Sequence, residues 1–176
     1  MNEFFLTRPL AEHADAIADY RREMLEANSS MDGCGPLRGT EIAADYIRLC
    51  REYENLATVP THLVPATQFL FFRRTDNRLI GMIQIRHTLN DYLAAYGGHI
   101  GYSVRPSERR KGCAKAMLHT ALEFCREIGL TNVLITCIDG NIGSEKTIRA
   151  NGGVYESTVH ESTHENVDLK RFWIAL

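Results

Sequence analysis

The chain has 176 residues, 44% of them apolar and 24% charged, with a formal net charge of -2, and residues 1–176 are read as a single domain large enough for a real core. Basic and acidic residues are intermixed, which argues against a general nucleic-acid binder, a class with a strong basic excess. No run reaches the ~20 apolar residues of a membrane span, the first residues lack the apolar core of a secretory signal, and five irregularly spaced cysteines without a Cys-x-x-Cys pair suggest neither a zinc site nor a disulfide framework, so a cytoplasmic location is expected.

Phe4 to Thr7 reads as a short strand. Pro9 suits the first turn of a helix that runs to about Glu26, with Leu10, Ala14, Ile17, Met24 and Leu25 mostly on one face. Asn28 to Gly39 is rich in Gly, Ser, Asn and Asp and reads as loop. Thr40 is placed to cap a second helix, whose apolar stripe is Ile42, Tyr46, Leu49, Cys50 and Tyr53. Three strands follow, Thr67 to Arg73, Leu79 to His87 and His99 to Val104. The turn at Asp76-Asn77 and the polar loop at Asn90-Asp91 are short links, which imply an antiparallel meander.

Pro106 ends the third strand, because proline has no N–H for a ladder. The clearest helix comes next, with Ala114, Met117, Leu118, Ala121, Leu122, Cys125 and Ile128 on one face and Gly129 as its stop. Val133 to Cys137 is a buried-type strand. Asn141 caps a short helix that ends at Asn151-Gly152-Gly153, and Val154 to Val159 and Val167 to Leu176 close the chain as strands. The order β-α-α-β-β-β-α-β-α-β-β makes this an α/β chain, with a mixed, mostly antiparallel sheet and helices on both faces. The strands on either side of the long helix are expected to be parallel neighbours, linked by a right-handed crossover, with a ligand outside their carboxyl ends.

That end of the sheet carries the sequence's strongest chemical signal. Arg109, Arg110, Lys111 and Lys115 surround Gly112 between a strand and a helix. A helix N-terminus leaves backbone N–H groups free and carries partial positive charge, so the turn suits a phosphate or pyrophosphate. Gly112 leaves room for close approach of the ligand. A P-loop nucleotidase is disfavoured, because Gly-x-x-x-x-Gly-Lys-Ser/Thr is absent.

The motif Arg109-x-x-Gly112-x-Ala114, with Val104 and Pro106 before it and Asn141, Ser144 and Gly152 after it, resembles the signature of the GNAT superfamily of acyl-CoA-dependent N-acyltransferases. The order of elements resembles that family over nearly the whole chain, and Gly98 to Gly153 looks most like its uncharacterised bacterial acetyltransferases. The resemblance implies acetyl-CoA as acyl donor. Arg109, Arg110, Lys111, Gly112, Cys113, Ala114 and Lys115 would hold the pyrophosphate, the backbone of Tyr102, Ser103 and Val104 would pair with the pantetheine arm, and Asn141 and Ser144 would touch the arm from the other side. It also implies transfer of acetyl to a primary amine, small molecule or peptide, by direct attack in a ternary complex. Neither nucleic acid nor membrane is an expected partner, and homodimers are common among such proteins.

Acyl transfer needs a neutral amine, and an alkylamine with pKa near ~10 is mostly cationic at neutral pH. His99, on the strand that enters the site, is the base candidate; a structural, hydrogen-bonded histidine is the other reading, since a one-residue slip in register flips the face. Many family members carry a tyrosine acid at the position of Ile148, which cannot donate. Another residue, a water or no acid remains, and a non-catalytic acyl-CoA-binding regulatory module is the alternative function. His87 is read as lining the acceptor pocket or as a strand-end surface residue, Asp139 as a turn former, and Tyr155 as a fallback acid or core aromatic. Cys137 reads as an inert buried thiol rather than an acyl carrier, and Asp32 and Glu41 are candidates to pair with a cationic amine.

Overall fold

The second predicted strand is apolar on both faces, and it settles the architecture. In the computed structural model, which describes residues 3–176, Ala66 to Phe72 are all buried because helices cover both sides of the strand. Phe69 and Phe71 pack with Met117, Leu118 and Ala121, whereas Leu70 and Phe72 point the other way, against Ile17, Tyr20, Met24 and Tyr46. This is the period-2 alternation of a strand with two cores.

The elements in chain order are β1 (Phe4–Thr7), α1 (Ala14–Glu26), α2 (Ala43–Glu54), β2 (Ala66–Arg73), β3 (Arg78–Arg86), β4 (Ile100–Val104), α3 (Cys113–Glu127), β5 (Asn132–Ile138), α4 (Ile142–Ala150), β6 (Val154–Glu161) and β7 (Val167–Ala175). They form two antiparallel sheets, β1-β2-β3-β4 and β5-β7-β6. The α/β class and the order of elements are those expected. No helix among the described residues is long and apolar enough to cross a membrane.

Three local expectations are corrected. Thr40 caps nothing: its hydroxyl donates to the Pro36 carbonyl at 2.9 Å, and α2 begins at Ala43 without a side-chain cap. Ile42 therefore precedes the helix and is 62% exposed, and Ile47 joins Tyr46 and Cys50 on the buried face. The segment between β3 and β4 winds into a π-turn at Leu93–Gly97, started by Asn90, whose side-chain oxygen accepts the Leu93 N–H at 2.9 Å.

The third correction positions the site. β4 and β5 share no ladder; their sheets meet at one bridge, Gly98 with Ile135. His99 fastens it from both directions. Its backbone N–H donates to the Leu134 carbonyl at 2.7 Å, and its ring Nδ1 accepts the Leu134 N–H at 3.0 Å. Beyond this point, the facing edges of β4 and β5 stay unpaired.

Candidate active site

A cleft of about 700 Å³ opens where the two sheets part, lined by Tyr102, Ser103 and Val104 on one side and Thr136, Cys137 and Ile138 on the other. Which backbone groups face it follows from register. Arg86 N–H bonds the His99 carbonyl at 2.8 Å and Arg105 N–H bonds the Ile80 carbonyl at 3.0 Å. With Gly101 opposite Gln84 and Ser103 opposite Met82, the odd-numbered residues of β4 are those bonded to β3. Tyr102 and Val104 consequently turn their N–H and C=O groups toward the cleft. The Val104 carbonyl is taken by Arg109 Nε at 2.8 Å.

The basic turn forms one end. Arg110 at φ 62 and Gly112 at φ 81 curl the chain into a concave cup before α3. The first helical bond runs from Ala116 N–H to the Gly112 carbonyl, so the amides of Cys113, Ala114 and Lys115 have no partner within the helix. A side-chain carbon on Gly112 would meet nothing within 4 Å, so positive φ rather than crowding calls for glycine there. Arg109, Arg110, Gly112, Cys113, Ala114 and Lys115 all line the cleft, and Lys111 does not. The Lys111 ammonium folds back to the Ser107 carbonyl and the Glu108 carboxylate, each at 3.0 Å. Glu108 also receives Arg73 at 2.9 Å and Arg78 at 3.1 Å. Burial works against its charge, but Arg73 and Lys111 outweigh it and keep its carboxyl below the usual range.

The opposite wall is α4. The Asn141 side-chain oxygen accepts the Ser144 N–H at 3.1 Å and caps the helix. Ser144 Oγ lies 2.8 Å from the Tyr102 hydroxyl, which bridges β4 to α4. Burial pushes the Tyr102 phenol up to about 12. Sequence reasoning used Tyr102 only for its backbone; an aromatic in a short apolar strand gave no sign of reaching across. Ile148 is fully buried in the core, so nothing protic replaces the usual tyrosine from that position.

The far end of the cleft is lined by Asp32 and Gly33 from the loop after α1, Arg86 from β3, Tyr92 just before the π-turn and Tyr96 within it, and Glu161 and Glu165 near the β6–β7 turn. The loop is pressed onto β4: a side-chain carbon on Gly33 would fall 2.0 Å from the Gly101 carbonyl oxygen. Gln68 Nε2 holds the Gly33 carbonyl at 2.8 Å. Glu161 is occupied by the backbone N–H groups of Thr163, His164 and Glu165, which bring its carboxyl to about 2. Asp32 accepts from Ser30 Oγ at 2.8 Å.

His99 is not among the lining residues. It is 7% exposed, its Nδ1 lone pair is committed to Leu134, and burial, then Arg86, depresses its affinity for protons. A neutral imidazole that accepts on Nδ1 carries its proton on Nε2, so no basic nitrogen is free. The base expected of His99 is thereby corrected to a structural histidine. His87 bonds Thr67 at 2.8 Å, Asp139 pairs with Lys170 at 3.0 Å, and the Tyr155 hydroxyl bonds Thr158; these three, like Glu41, lie outside the cleft. Cys137 lines it, with its thiol pushed up by burial.

A sequence profile described as the acetyltransferase (GNAT) family matches residues 39–152. No curated protein sequence matches the chain. Among solved structures, a ribosomal-protein-S5-alanine acetyltransferase from Vibrio fischeri superposes with a TM-score of 0.74 at 16% identity, covering 99% of this chain and 94% of that one. Mycobacterium smegmatis RimJ, in complex with CoA-disulfide, gives 0.72 at 18% identity, over 98% and 81%. A dodecameric spermidine N-acetyltransferase from Vibrio cholerae gives 0.66 at 15% identity, over 98% and 94%. At these identities the likeness is one of fold.

Proposed function

The chain belongs to the GNAT acetyltransferase family, and we propose that it transfers the acetyl group of acetyl-CoA to a primary amine by direct attack in a ternary complex. The observation that carries this reading is the alignment of two features along one cleft: the amide cup at Arg110 to Lys115, and the unpaired edge of β4 at Tyr102 and Val104. The cup takes the pyrophosphate. The β4 edge takes the amide-bearing arm as an added strand, with Asn141 and Ser144 on the facing wall. This brings the thioester to the part of the cleft where Asp32 and Arg86 await the acceptor.

The amine gives up a proton to water at the open acceptor end, and its lone pair attacks the thioester carbonyl. A C–N bond forms, a free β4 N–H stabilises the oxyanion, and the C–S bond breaks as the carbonyl re-forms. The sulfur departs as thiolate, tolerable for a thiol of pKa ~8.5. A phenol near 12 does not surrender its proton to such a thiolate, so Tyr102 serves as a hydrogen-bond donor to the sulfur, and water supplies the final proton. Asp32 draws the cationic form of the acceptor into the cleft.

Thiol release from acetyl-CoA, followed over a panel of amines with mass detection of the acetylated product, tests this reading. The expected result is amine-dependent release with intersecting initial-velocity lines. Tight CoA binding without amine-dependent release would establish the non-catalytic module instead, and parallel lines would point to an acyl-enzyme on Cys137.

A further inference from the structure

Of the arginines that line the cleft, Arg86 is the one that the reading above leaves without a use in donor binding. Three other arginines near this site are matched by acids. Arg105, 3% exposed, pairs with Asp19 and Glu23, and Arg73 and Arg78 pair with Glu108. Among the described residues, Arg86 has no carboxylate within ion-pair distance. Its Nη1 group donates to the Gly97 and Gly98 carbonyls, at 3.2 and 2.9 Å, which fixes the guanidinium plane against the π-turn. Nε and Nη2 have no protein partner among the described residues, and the side chain lines the acceptor end of the cleft. A desolvated guanidinium stays charged and is costly to leave unpaired. Its remaining donors form the planar fork that matches a carboxylate.

The charges facing Arg86 sharpen the ligand. Asp32 lies near enough to act on it electrostatically, and Tyr92 also faces it. Glu161 is committed to backbone N–H groups, and Glu165, which also lines the cleft, makes no ion pair with Arg86. Asp32 suits an ammonium group and Arg86 a carboxylate, both at one end of one cleft. We propose that the acceptor is a free amino acid, with its carboxylate on Arg86 and its amine beside Asp32; this rests on the acetyltransferase reading above. A polyamine brings a cation to Arg86, and a peptide N-terminus has an amide where the carboxylate is required.

The test measures kcat/KM for the standard amino acids and their α-amides, with spermidine and a peptide bearing an N-terminal glutamate alongside, on the wild-type protein, R86Q and R86K. The expected result is at least one amino acid preferred over its amide by about tenfold or more. That ratio falls to near one in R86Q and to an intermediate value in R86K, which keeps a cation and a donor for the Gly97 and Gly98 carbonyls without the fork. Thermal midpoints and CoA affinity of both variants report whether the fold is kept. Amides, spermidine or the peptide serving as well as the best amino acid would overturn the proposal, as would a preference that survives in R86Q. Binding of CoA with no amine acetylated at all refutes the enzymatic reading itself. In that case, titration of N-acetyl amino acids into the CoA-bound protein decides separately: binding lost in R86Q supports the carboxylate pocket, and absent or Arg86-independent binding overturns it.

Discussion

Replacing Gly33 with alanine tests whether the loop after α1 is held against β4 as tightly as the geometry requires. The added carbon would sit 2.0 Å from the Gly101 oxygen, 2.2 Å from the Gly101 carbonyl carbon and 2.5 Å from the Tyr102 nitrogen. All three are backbone atoms, so no rotamer change relieves the contact, and loop and strand must separate by at least ~1 Å. Gly33 also sits at φ 70, where an alanine costs about 1–2 kcal/mol. Overpacking adds about 1–3 kcal/mol. The total, about 2–5 kcal/mol, corresponds to a Tm lowered by roughly 5–15 °C for a chain of this size. The strand that moves carries the N–H of Tyr102, so kcat falls by about a hundredfold, as expected for a displacement near 1 Å. KM for acetyl-CoA changes less, because the cup proposed for the pyrophosphate lies on a different segment. Thermal unfolding followed by fluorescence, with steady-state kinetics on the same preparation, reads both numbers. G112A is the control: it shares the positive φ but meets open space, so it costs about 1 kcal/mol and acts on acetyl-CoA binding. A G33A protein with wild-type Tm and kcat would refute the reasoning, since it would mean that the loop is not seated on β4.

Other substitutions separate the remaining roles. Tyr102→Phe is expected to lower kcat by about 10- to 100-fold with little change in KM for acetyl-CoA, the size of one hydrogen bond to a charged sulfur; an unchanged kcat removes Tyr102 from the reaction. Arg110→Gln is expected to raise KM for acetyl-CoA by about 2- to 5-fold and to weaken its dependence on salt, as measured at two ionic strengths. His99 gives a pH signature in stability rather than in rate. Its folded-state pKa is depressed by burial and by Arg86, so the unfolded chain takes up a proton near ~6.5 while the folded chain does not. Stability is thus full above that pH, falls as pH drops toward the lowered folded value, and levels off below it. In His99→Gln the slope of urea midpoint against pH shrinks but does not vanish, because burial depresses His87 as well. The log of kcat/KM climbs with pH toward the amine's own pKa, and an inflection at a histidine pKa that disappears in His99→Gln would restore His99 as the base.

The basic end of the cleft, the proposed donor half, was legible in the sequence because it is local. A strand stop at Pro106, a glycine at positive φ and a helix N-terminus lie within ten residues, and the chain itself dictates how they face. Six of the seven residues expected in the cup line the cleft, and Lys111 escapes only because Glu108, three residues earlier, attracts it. The opposite end, the proposed acceptor half, was not legible. It is assembled from the α1–α2 loop, the end of β3, a π-turn and the β6–β7 turn, whose proximity depends on long-range packing. Arg86 shows the difficulty: in sequence it is a charged residue ending a strand, and only the lack of an ion-pair partner among the described residues makes it informative. His99 failed for a finer reason. It sits on the expected strand, but the strand begins one residue later, and the imidazole turns to the neighbouring sheet's backbone instead of the cleft.

The seam between the sheets has a thermodynamic consequence. Seven β5 residues pair with β7, whereas β4 and β5 are joined at a single bridge. A donor molecule laid along that gap, as proposed above, would add bonds from β4 to the facing wall that the polypeptide lacks. Bound cosubstrate is then a structural member, and resistance to unfolding tracks its concentration: a hundredfold excess over Kd adds about 2.7 kcal/mol. Amides flanking the gap would exchange hydrogen with solvent fastest in the empty protein, and proteases would find their first foothold there whenever the acyl donor runs low.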